Sequence, residues 1–225
     1  MPGANNSTVL YNQGQIFRTN IPSHHAVTKI GLLLHGWNGD ENSMQIFFSD
    51  FPDNVGLIAP RAPYPTSENG FTWAPSLTNW AFIKSAQPSQ LSELMTSAAA
   101  LVENLKTWTS FLNCKVDTFY VAGFSQGGAM ALLLGLIYPS IFNKTACLSG
   151  FLPQGVEDEL AHLPTSSANF LMTHGTMDEI IPVERAIDTY RRLNNLGIEV
   201  DYCEDHIGHK IGLECRYKLK SFFSA

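Results

Sequence analysis

The sequence predicts an α/β protein with a doubly wound, mostly parallel sheet in one domain. Three observations favour this fold class. Short apolar segments alternate with helical segments along the chain. A Gly-x-Ser-x-Gly turn at 123–127 joins an apolar strand to an apolar helix. Motifs containing Ser, Asp and His follow successive predicted strands, where the active sites of such sheets usually lie. With 225 residues, of which 44% are hydrophobic, one domain with a sizeable core is the default.

The N-terminal half begins with a polar segment and then alternates between strand and helix. Residues 1–26 are polar and could add an edge strand to the sheet. A long segment, 60–88, is rich in Pro, Ser, Asn and aromatic residues, and loops of this length usually have a function. The regular elements predicted in this half are strands at 27–34 and 55–59 and helices at 42–51 and 89–112.

The C-terminal half repeats the alternation around the serine turn. The strand 118–122 leads into the turn, and a buried helix, 129–137, follows it. The segment 151–168 between two core strands is too short for a separate cap domain, so we expect an open site. The remaining elements are predicted as strands at 144–148, 169–173 and 198–202 and helices at 183–195 and 211–223.

Charge and cysteine content narrow the function classes. The net charge is −6 and no basic run is present, which argues against nucleic acid as a partner and favours a small molecule. No long apolar stretch indicates a membrane anchor, so we expect a cytoplasmic location; a homodimer is compatible with the sequence. The four cysteines form no Cys-x-x-Cys pair, and we expect free thiols, with Cys203 and Cys215 as the pair that could come close.

The serine of the turn, Ser125, needs a base and an acid to act as a nucleophile. A serine hydroxyl is activated by an imidazole, whose tautomer a carboxylate fixes. Among the seven histidines, those at 24, 25 and 162 lie in polar or unpatterned segments, and those at 35 and 174 are expected to order their loops. His209 follows a glycine and precedes the last helix, and we favour it over His206 as the base. A metal site at this histidine pair would leave the serine without a base.

The acid is predicted from its position in the chain. Asp178 ends a strand and precedes the turn to Pro182, so we prefer it to Glu179 and to Asp205. The resulting chain order of Ser, Asp and His is the order found in α/β-hydrolases.

At this point the chain resembles the phospholipase/carboxylesterase branch of the α/β-hydrolases, which includes bacterial carboxylesterases and acyl-protein thioesterases. The similarity extends from about residue 29 to the end. It implies Ser125 as nucleophile, Asp178 as triad acid and His209 as base. The chain departs from the thioesterases at Trp37-Asn38, where they have a shorter loop. The motifs that show the resemblance are His35-Gly36 with Gly39-Asp40-Glu41, Ala59-Pro60-Arg61-Ala62-Pro63, Gly123-Phe124-Ser125-Gln126-Gly127-Gly128, His174-Gly175-Thr176-Met177-Asp178 and Gly208-His209.

Backbone and aromatic groups are expected to complete the site. The oxyanion hole is predicted to use the backbone N–H groups of Trp37 and Gln126. The Trp37 indole is expected to line the substrate pocket. The long loop is predicted to select the acyl group through Trp73 and Trp80, with Phe71 and Phe82 as further aromatic residues of that segment.

We therefore expect a serine carboxylesterase that hydrolyses small to medium acyl esters through an acyl-enzyme on Ser125. No metal or organic cofactor is required for this chemistry. Acyl-protein thioesterase, lysophospholipase-like or acyltransferase activity at the same site is the alternative, and a non-catalytic binding module is a third possibility.

Overall fold

The protein is described by a computed structural model that covers residues 7–23, 27–77, 88–160 and 168–225. Its main feature is an eight-stranded sheet in the order β1-β2-β4-β3-β7-β8-β9-β10. Six neighbouring strands run parallel, in the order β4-β3-β7-β8-β9-β10. At the other end of the sheet, β2 pairs antiparallel with β4, and β1 pairs antiparallel with β2. The strands are β1 Ser7–Asn12, β2 Gln15–Asn20, β3 Lys29–Leu34, β4 Val55–Pro60, β7 Thr118–Phe124, β8 Phe142–Leu148, β9 Asn169–Gly175 and β10 Val200–Asp205; a small separate hairpin pairs β5 Tyr64–Pro65 with β6 Phe71–Thr72.

Helices cover both faces of the sheet, as the alternating sequence pattern predicts. One face packs against α1, α2 and α4, and the other packs against α5 and a 3₁₀ helix, Ser43–Asp50. In β3 the side chains of Ile30, Leu32 and Leu34 belong to the first core, while Leu33 belongs to the second. The α-helices are α1 Pro88–Phe111, α2 Gln126–Ile137, α3 Val156–Leu160, α4 Val183–Asn195 and α5 Leu213–Ser224.

The sequence prediction of a mostly parallel α/β sheet is therefore confirmed, although several element bounds differ. The last strand was expected at 198–202 and lies at Val200–Asp205, because its parallel pairing with β9 continues to Asp205 opposite Gly175. None of the described helices is both long and apolar enough to cross a membrane.

The polar N-terminal segment forms a hairpin, where the sequence suggested at most one edge strand. Gln13 and Gly14 between β1 and β2 both have positive φ, 47° and 81°, which suits a tight hairpin turn. In β2 the side chains of Phe17 and Thr19 are buried, so alternate residues face the core. This strand pairs antiparallel with β4 and extends the sheet.

Two cysteines form a disulfide, which corrects the expectation of four free thiols. Cys203 in β10 is bonded to Cys215 in α5, with the two Cα atoms 5.6 Å apart. These two residues are the pair that the sequence analysis named as able to come close, and the packing of the strand against the helix brings them together. Cys114 and Cys147 are free.

Candidate active site

The turn after β7 holds Ser125 in a conformation that few residues other than glycine adopt. Its φ and ψ are 55° and −116°, and its N–H donates to Leu148 O at 2.8 Å. Glycine is required on both sides of this turn. A Cβ at Gly123 would lie 1.8 Å from Gly127 O, and a Cβ at Gly127 would lie 2.1 Å from Leu34 O. The turn therefore presents the serine at the carboxyl edge of the sheet, as the Gly-x-Ser-x-Gly pattern predicts.

The carboxylate of Asp178 lies in the loop after β9 and is fully buried. Its Oδ1 accepts hydrogen bonds from the backbone N–H groups of Ile180 and Ile181, both at 2.9 Å. Its Oδ2 lies 2.6 Å from Nδ1 of His209. The two amide bonds fix the orientation of the carboxylate, so that its other oxygen faces the imidazole.

The imidazole of His209 is held between this carboxylate and an aromatic ring. Because Nδ1–H donates to Asp178, Nε2 is left as the acceptor for a substrate or serine proton. The ring packs on Phe124, with centroids 4.8 Å apart, and His209 and Ser125 line the same cavity. His206 is exposed instead, and its Nδ1 lies 3.2 Å from Thr176 Oγ1.

The other two described histidines hold loops in place. Nδ1–H of His35 donates to Gly36 O at 2.7 Å, and Nε2 accepts from the N–H of Ala62 at 3.0 Å. Burial lowers the pKa of His35 from 6.5 to about 4, so the ring is neutral. His174 donates from Nε2 to Ile181 O at 2.8 Å, and burial lowers its pKa as well.

The two segments expected to supply the oxyanion hole lie beside Ser125. A Cβ at Gly36 would be 3.3 Å from Ser125 Cβ, so the backbone that leads to Trp37 passes close to the serine. Gln126 is the first residue of α2, where N–H groups point out of the helix end. The Gln126 side chain is occupied elsewhere: Nε2 donates to Thr72 Oγ1 at 2.8 Å. Only its backbone N–H is therefore a candidate donor to a substrate oxygen.

Trp73 is in the core and does not line the cavity, contrary to the expectation that it contacts the acyl group. The side chain is 1% exposed, and its indole N–H donates to His35 O at 2.8 Å. Its backbone N–H donates to Gln126 Oε1 at 3.2 Å. Trp73 thus joins the segment before Trp37 to the start of α2. Trp80 and Phe82, also expected near the site, lie outside the described residues.

Trp37 and Asn38, where the chain departs from the thioesterase pattern, lie in a turn that is hydrogen-bonded to the β5–β6 hairpin and the loop within it. Asn38 has a φ of 62°, and its Oδ1 accepts from the N–H of Gly70 at 3.0 Å and from Thr66 Oγ1 at 2.5 Å. Its backbone N–H donates to Phe71 O at 2.9 Å. The loop that carries Trp37 is therefore fixed by the long segment.

A cavity of about 550 Å³ opens beside Ser125 and His209, and most of its wall was not predicted from the sequence. It lies between the 3₁₀ helix Ser43–Asp50 and α5. One sequence signal could have identified this wall. Met44 and Phe47 are three residues apart, which places them on one face of the helix that directly follows the predicted oxyanion segment. The lining residues that the sequence reasoning missed are Asn38, Gly39, Ser43, Met44, Ile46, Phe47, Phe124, Lys210, Ile211 and Arg216.

A family model described as phospholipase/carboxylesterase matches residues 19–224. The chain belongs to this family. Membership supports a hydrolase of the carboxylesterase and thioesterase class.

Relatives in this family cover the chain to different extents. A probable carboxylesterase of Oryza sativa subsp. japonica is 32% identical over 47% of this chain and 41% of its own length. A probable inactive carboxylesterase of the same plant is 27% identical over 79% of this chain and 76% of its own. Acyl-protein thioesterase 1 of Yarrowia lipolytica is 26% identical over 72% of this chain and 74% of its own. The chain thus spans less than half of the first relative.

The fold is shared with solved structures of the same class. The crystal structure of esterase PE8 matches with a TM-score of 0.75 and 24% identity, covering 92% of this chain and 96% of that one. At this identity the likeness establishes the fold, an α/β-hydrolase-like sheet, and the chemistry has to be argued from the site.

Proposed function

We propose that this protein is a serine carboxylesterase that hydrolyses small to medium acyl esters through an acyl-enzyme on Ser125. The main support is the 2.6 Å pair of Asp178 Oδ2 and His209 Nδ1, whose imidazole lines the same cavity as a serine in a strained strand-to-helix turn. This pair leaves Nε2 of the imidazole unprotonated and orients it. A serine beside such an imidazole can act as a nucleophile at neutral pH.

Acylation begins when Oγ of Ser125 attacks the ester carbonyl carbon and Nε2 of His209 takes the hydroxyl proton. The carbonyl oxygen becomes an oxyanion, which the N–H groups of Trp37 and Gln126 stabilise. The imidazolium, stabilised by Asp178, then gives its proton to the leaving oxygen. The bond between the carbonyl carbon and that oxygen breaks, and the alcohol departs.

Deacylation repeats these steps with water as the nucleophile. Nε2 of His209 takes a proton from water while the water oxygen attacks the acyl carbon. The resulting oxyanion collapses, the proton passes to Oγ of Ser125, and the carboxylic acid leaves. The cycle consumes one ester and one water and needs neither a metal nor an organic cofactor.

A second candidate is thioester hydrolysis at the same site, which the similarity to a Yarrowia acyl-protein thioesterase favours. The chemistry differs only in the leaving group, a thiol in place of an alcohol. An acyltransferase would differ only in the nucleophile that attacks the acyl-enzyme. Matched esters and thioesters with the same acyl group, assayed with and without an added alcohol acceptor, separate these three activities.

A fluorophosphonate probe together with an ester hydrolysis assay tests the proposed function. We expect the protein to be labelled and to release carboxylic acid, and Ser125→Ala to lose both. Ser224→Ala, at the exposed end of α5, is the matched control and should retain both. Absence of labelling and of turnover in the folded protein would favour a non-catalytic binding module.

The cytoplasmic location predicted from the sequence stays a prediction. Disulfides persist mainly in oxidising compartments, and the Cys203–Cys215 bond is therefore informative about location. Alkylation of free thiols in freshly lysed cells measures the state of this pair. A fully reduced pair in the cell would agree with a reducing compartment, and an oxidised pair would argue against the cytoplasmic prediction.

A further inference from the structure

We infer that the cavity between the 3₁₀ helix Ser43–Asp50 and α5 binds the leaving alcohol of the ester and selects apolar, uncharged alcohols. This inference rests on the proposed function and specifies its substrate class. It differs from the sequence-based expectation, in which the long loop selects the acyl group.

The position of the imidazole identifies the side of the substrate that enters the cavity. His209 must give its proton to the leaving oxygen, which therefore lies within hydrogen-bond reach of Nε2. Lys210 and Ile211, which directly follow His209, form part of the cavity wall. Phe124, which packs on the imidazole, forms another part. A leaving group that extends past the imidazole therefore enters this cavity.

The walls of the cavity are suited to an apolar group. Its volume of about 550 Å³ lies within the range of roughly 300–1,000 Å³ that is typical of small-molecule pockets. Phe47 and Met44 are buried, whereas Ile46 at the rim is 63% exposed. The large apolar lining residues come from three segments of the chain: Trp37, Met44, Ile46, Phe47, Phe124 and Ile211.

The charged groups around the cavity favour an uncharged alcohol over a cationic one. Among the described lining residues, Lys210 and Arg216 are basic and none is acidic. Arg216 is already held by Asp50, with Nε 2.9 Å from Oδ2, and by the backbone oxygen of Ile46. This ion pair joins the 3₁₀ helix to α5 and offsets the charge of Arg216, which leaves Lys210 as the exposed cation at the cavity. Within the part of the cavity wall that the structure describes, no carboxylate would pair with a quaternary ammonium group.

The first test varies the alcohol while the acyl group stays constant. For butyrate esters of methanol, butanol, hexanol and 2-phenylethanol, we expect kcat/KM to rise roughly threefold to fourfold per buried methylene until the cavity is filled. Ile46→Ser and Phe47→Ala should flatten this series. Val9→Ser, an apolar-to-serine change on the exposed strand β1, is the control and should leave it unchanged.

The rate of deacylation distinguishes the alcohol from the acyl group. Once the butyryl-enzyme has formed the alcohol has left, so Ile46→Ser and Phe47→Ala should not change the deacylation rate constant from pre-steady-state bursts. If they slow deacylation or flatten a series of methyl esters of varied acyl length, the cavity holds the acyl group and the inference is wrong. Should the buried Phe47 variant fail to fold, the exposed Ile46 variant still decides the question.

The second test isolates the charge of the alcohol. Butyrylcholine and 3,3-dimethylbutyl butyrate have the same shape and differ by one positive charge. We expect kcat/KM to be tenfold or more higher for the neutral ester than for butyrylcholine. Lys210→Glu should bring this ratio closer to one, and Lys210→Arg should leave it unchanged. An equal or greater rate with butyrylcholine would overturn the charge selectivity.

Failure of this inference is distinguishable from failure of the proposed function. An enzyme that reacts with the fluorophosphonate probe and hydrolyses esters, but has a flat alcohol series, retains the proposed function and lacks this subsite. An unlabelled protein without turnover lacks both.

Discussion

At the scale of single residues, the site depends on one hydrogen-bonded pair and one backbone turn. Asp178 receives two amide hydrogen bonds and one from the imidazole, so its buried charge is well compensated. Ser125 is held in place by its own backbone conformation.

The members of the proposed triad should act as a unit. We predict that Ser125→Ala, His209→Ala and the double variant lose kcat by similar, non-additive factors, on the order of 10⁴ or more. Asp178→Asn should also be severe, because it changes the tautomer of the imidazole. Steady-state kinetics on a soluble ester measures these losses. His206→Ala is the control and should have near-normal turnover; the opposite result for the two histidines would contradict the assignment.

The structure changes the effect that we expect when Trp73 is replaced, from a loss of substrate binding to a loss of stability. A ligand-binding tryptophan would lower kcat/KM for medium acyl esters and leave stability intact. A buried tryptophan replaced by alanine should instead lower the free energy of unfolding by roughly 3–5 kcal/mol.

Trp73→Phe keeps most of the volume and removes the N–H that bonds to His35 O. Its cost to the free energy of unfolding should be smaller, about 1–3 kcal/mol for the unpaired carbonyl and the altered packing. Chemical denaturation of both variants tests this order. Unchanged stability of Trp73→Ala with a selective loss of longer acyl substrates would restore the substrate-binding role.

Burial of His35 predicts a pH dependence of stability. Its pKa is about 4 in the folded protein and 6.5 as a free side chain, so between these values the unfolded chain binds the extra proton. Stability is therefore fully present above pH 6.5 and falls as the pH decreases towards 4, by up to about 1.4 kcal/mol per pH unit from this residue. Urea denaturation at several pH values should show this slope. His35→Gln should reduce the slope, and an unchanged slope in this variant would contradict the prediction.

At the scale of secondary-structure elements, β10 and α5 are joined by a covalent bond as well as by packing. The Cys203–Cys215 disulfide encloses the loop that contains His209. Asp205 adds a hydrogen bond, since its Oδ2 accepts from the N–H of Cys215 at 3.1 Å. The proposed base is therefore part of a covalently closed loop.

Loss of this disulfide should destabilise the protein. Closing a loop with a sequence separation of 12 is expected to stabilise the folded state by about 3 kcal/mol. We predict that replacing Cys203 and Cys215 with Ser lowers the free energy of unfolding by this amount and removes its sensitivity to reductant. Cys114→Ser, at a free cysteine, is the control and should leave both unchanged. A parent protein that is insensitive to reductant would contradict the bond.

At the scale of the whole molecule, the sheet order explains why residues far apart in sequence meet. Ser125, the Gly36 loop and Asp178 follow β7, β3 and β9, and all of these strands run parallel. Their carboxyl ends therefore lie on one edge of the sheet. The cavity forms on this edge where the 3₁₀ helix Ser43–Asp50 and α5 cover the same face.

The sequence by itself determined the fold class and the residues proposed for the chemistry. Alternation of apolar strands with helices requires a parallel sheet, and the glycines at 123 and 127 leave few alternatives to a sharp turn at Ser125. These properties depend on local patterns and on the direction of the strands, both of which can be read along the chain.

Only the tertiary structure decided the cavity wall, the burial of Trp73 and the disulfide. Each depends on which faces of distant elements pack together. An aromatic residue in a long loop has the same sequence signature whether it faces solvent or the core, and Trp73 is buried because its indole N–H reaches His35 O. Likewise, the contact of α5 with β10 brings Cys203 and Cys215 together, and the contact of α5 with the 3₁₀ helix forms the end of the cavity. Packing between distant elements has no periodic pattern in the sequence, and so only the folded chain reveals it.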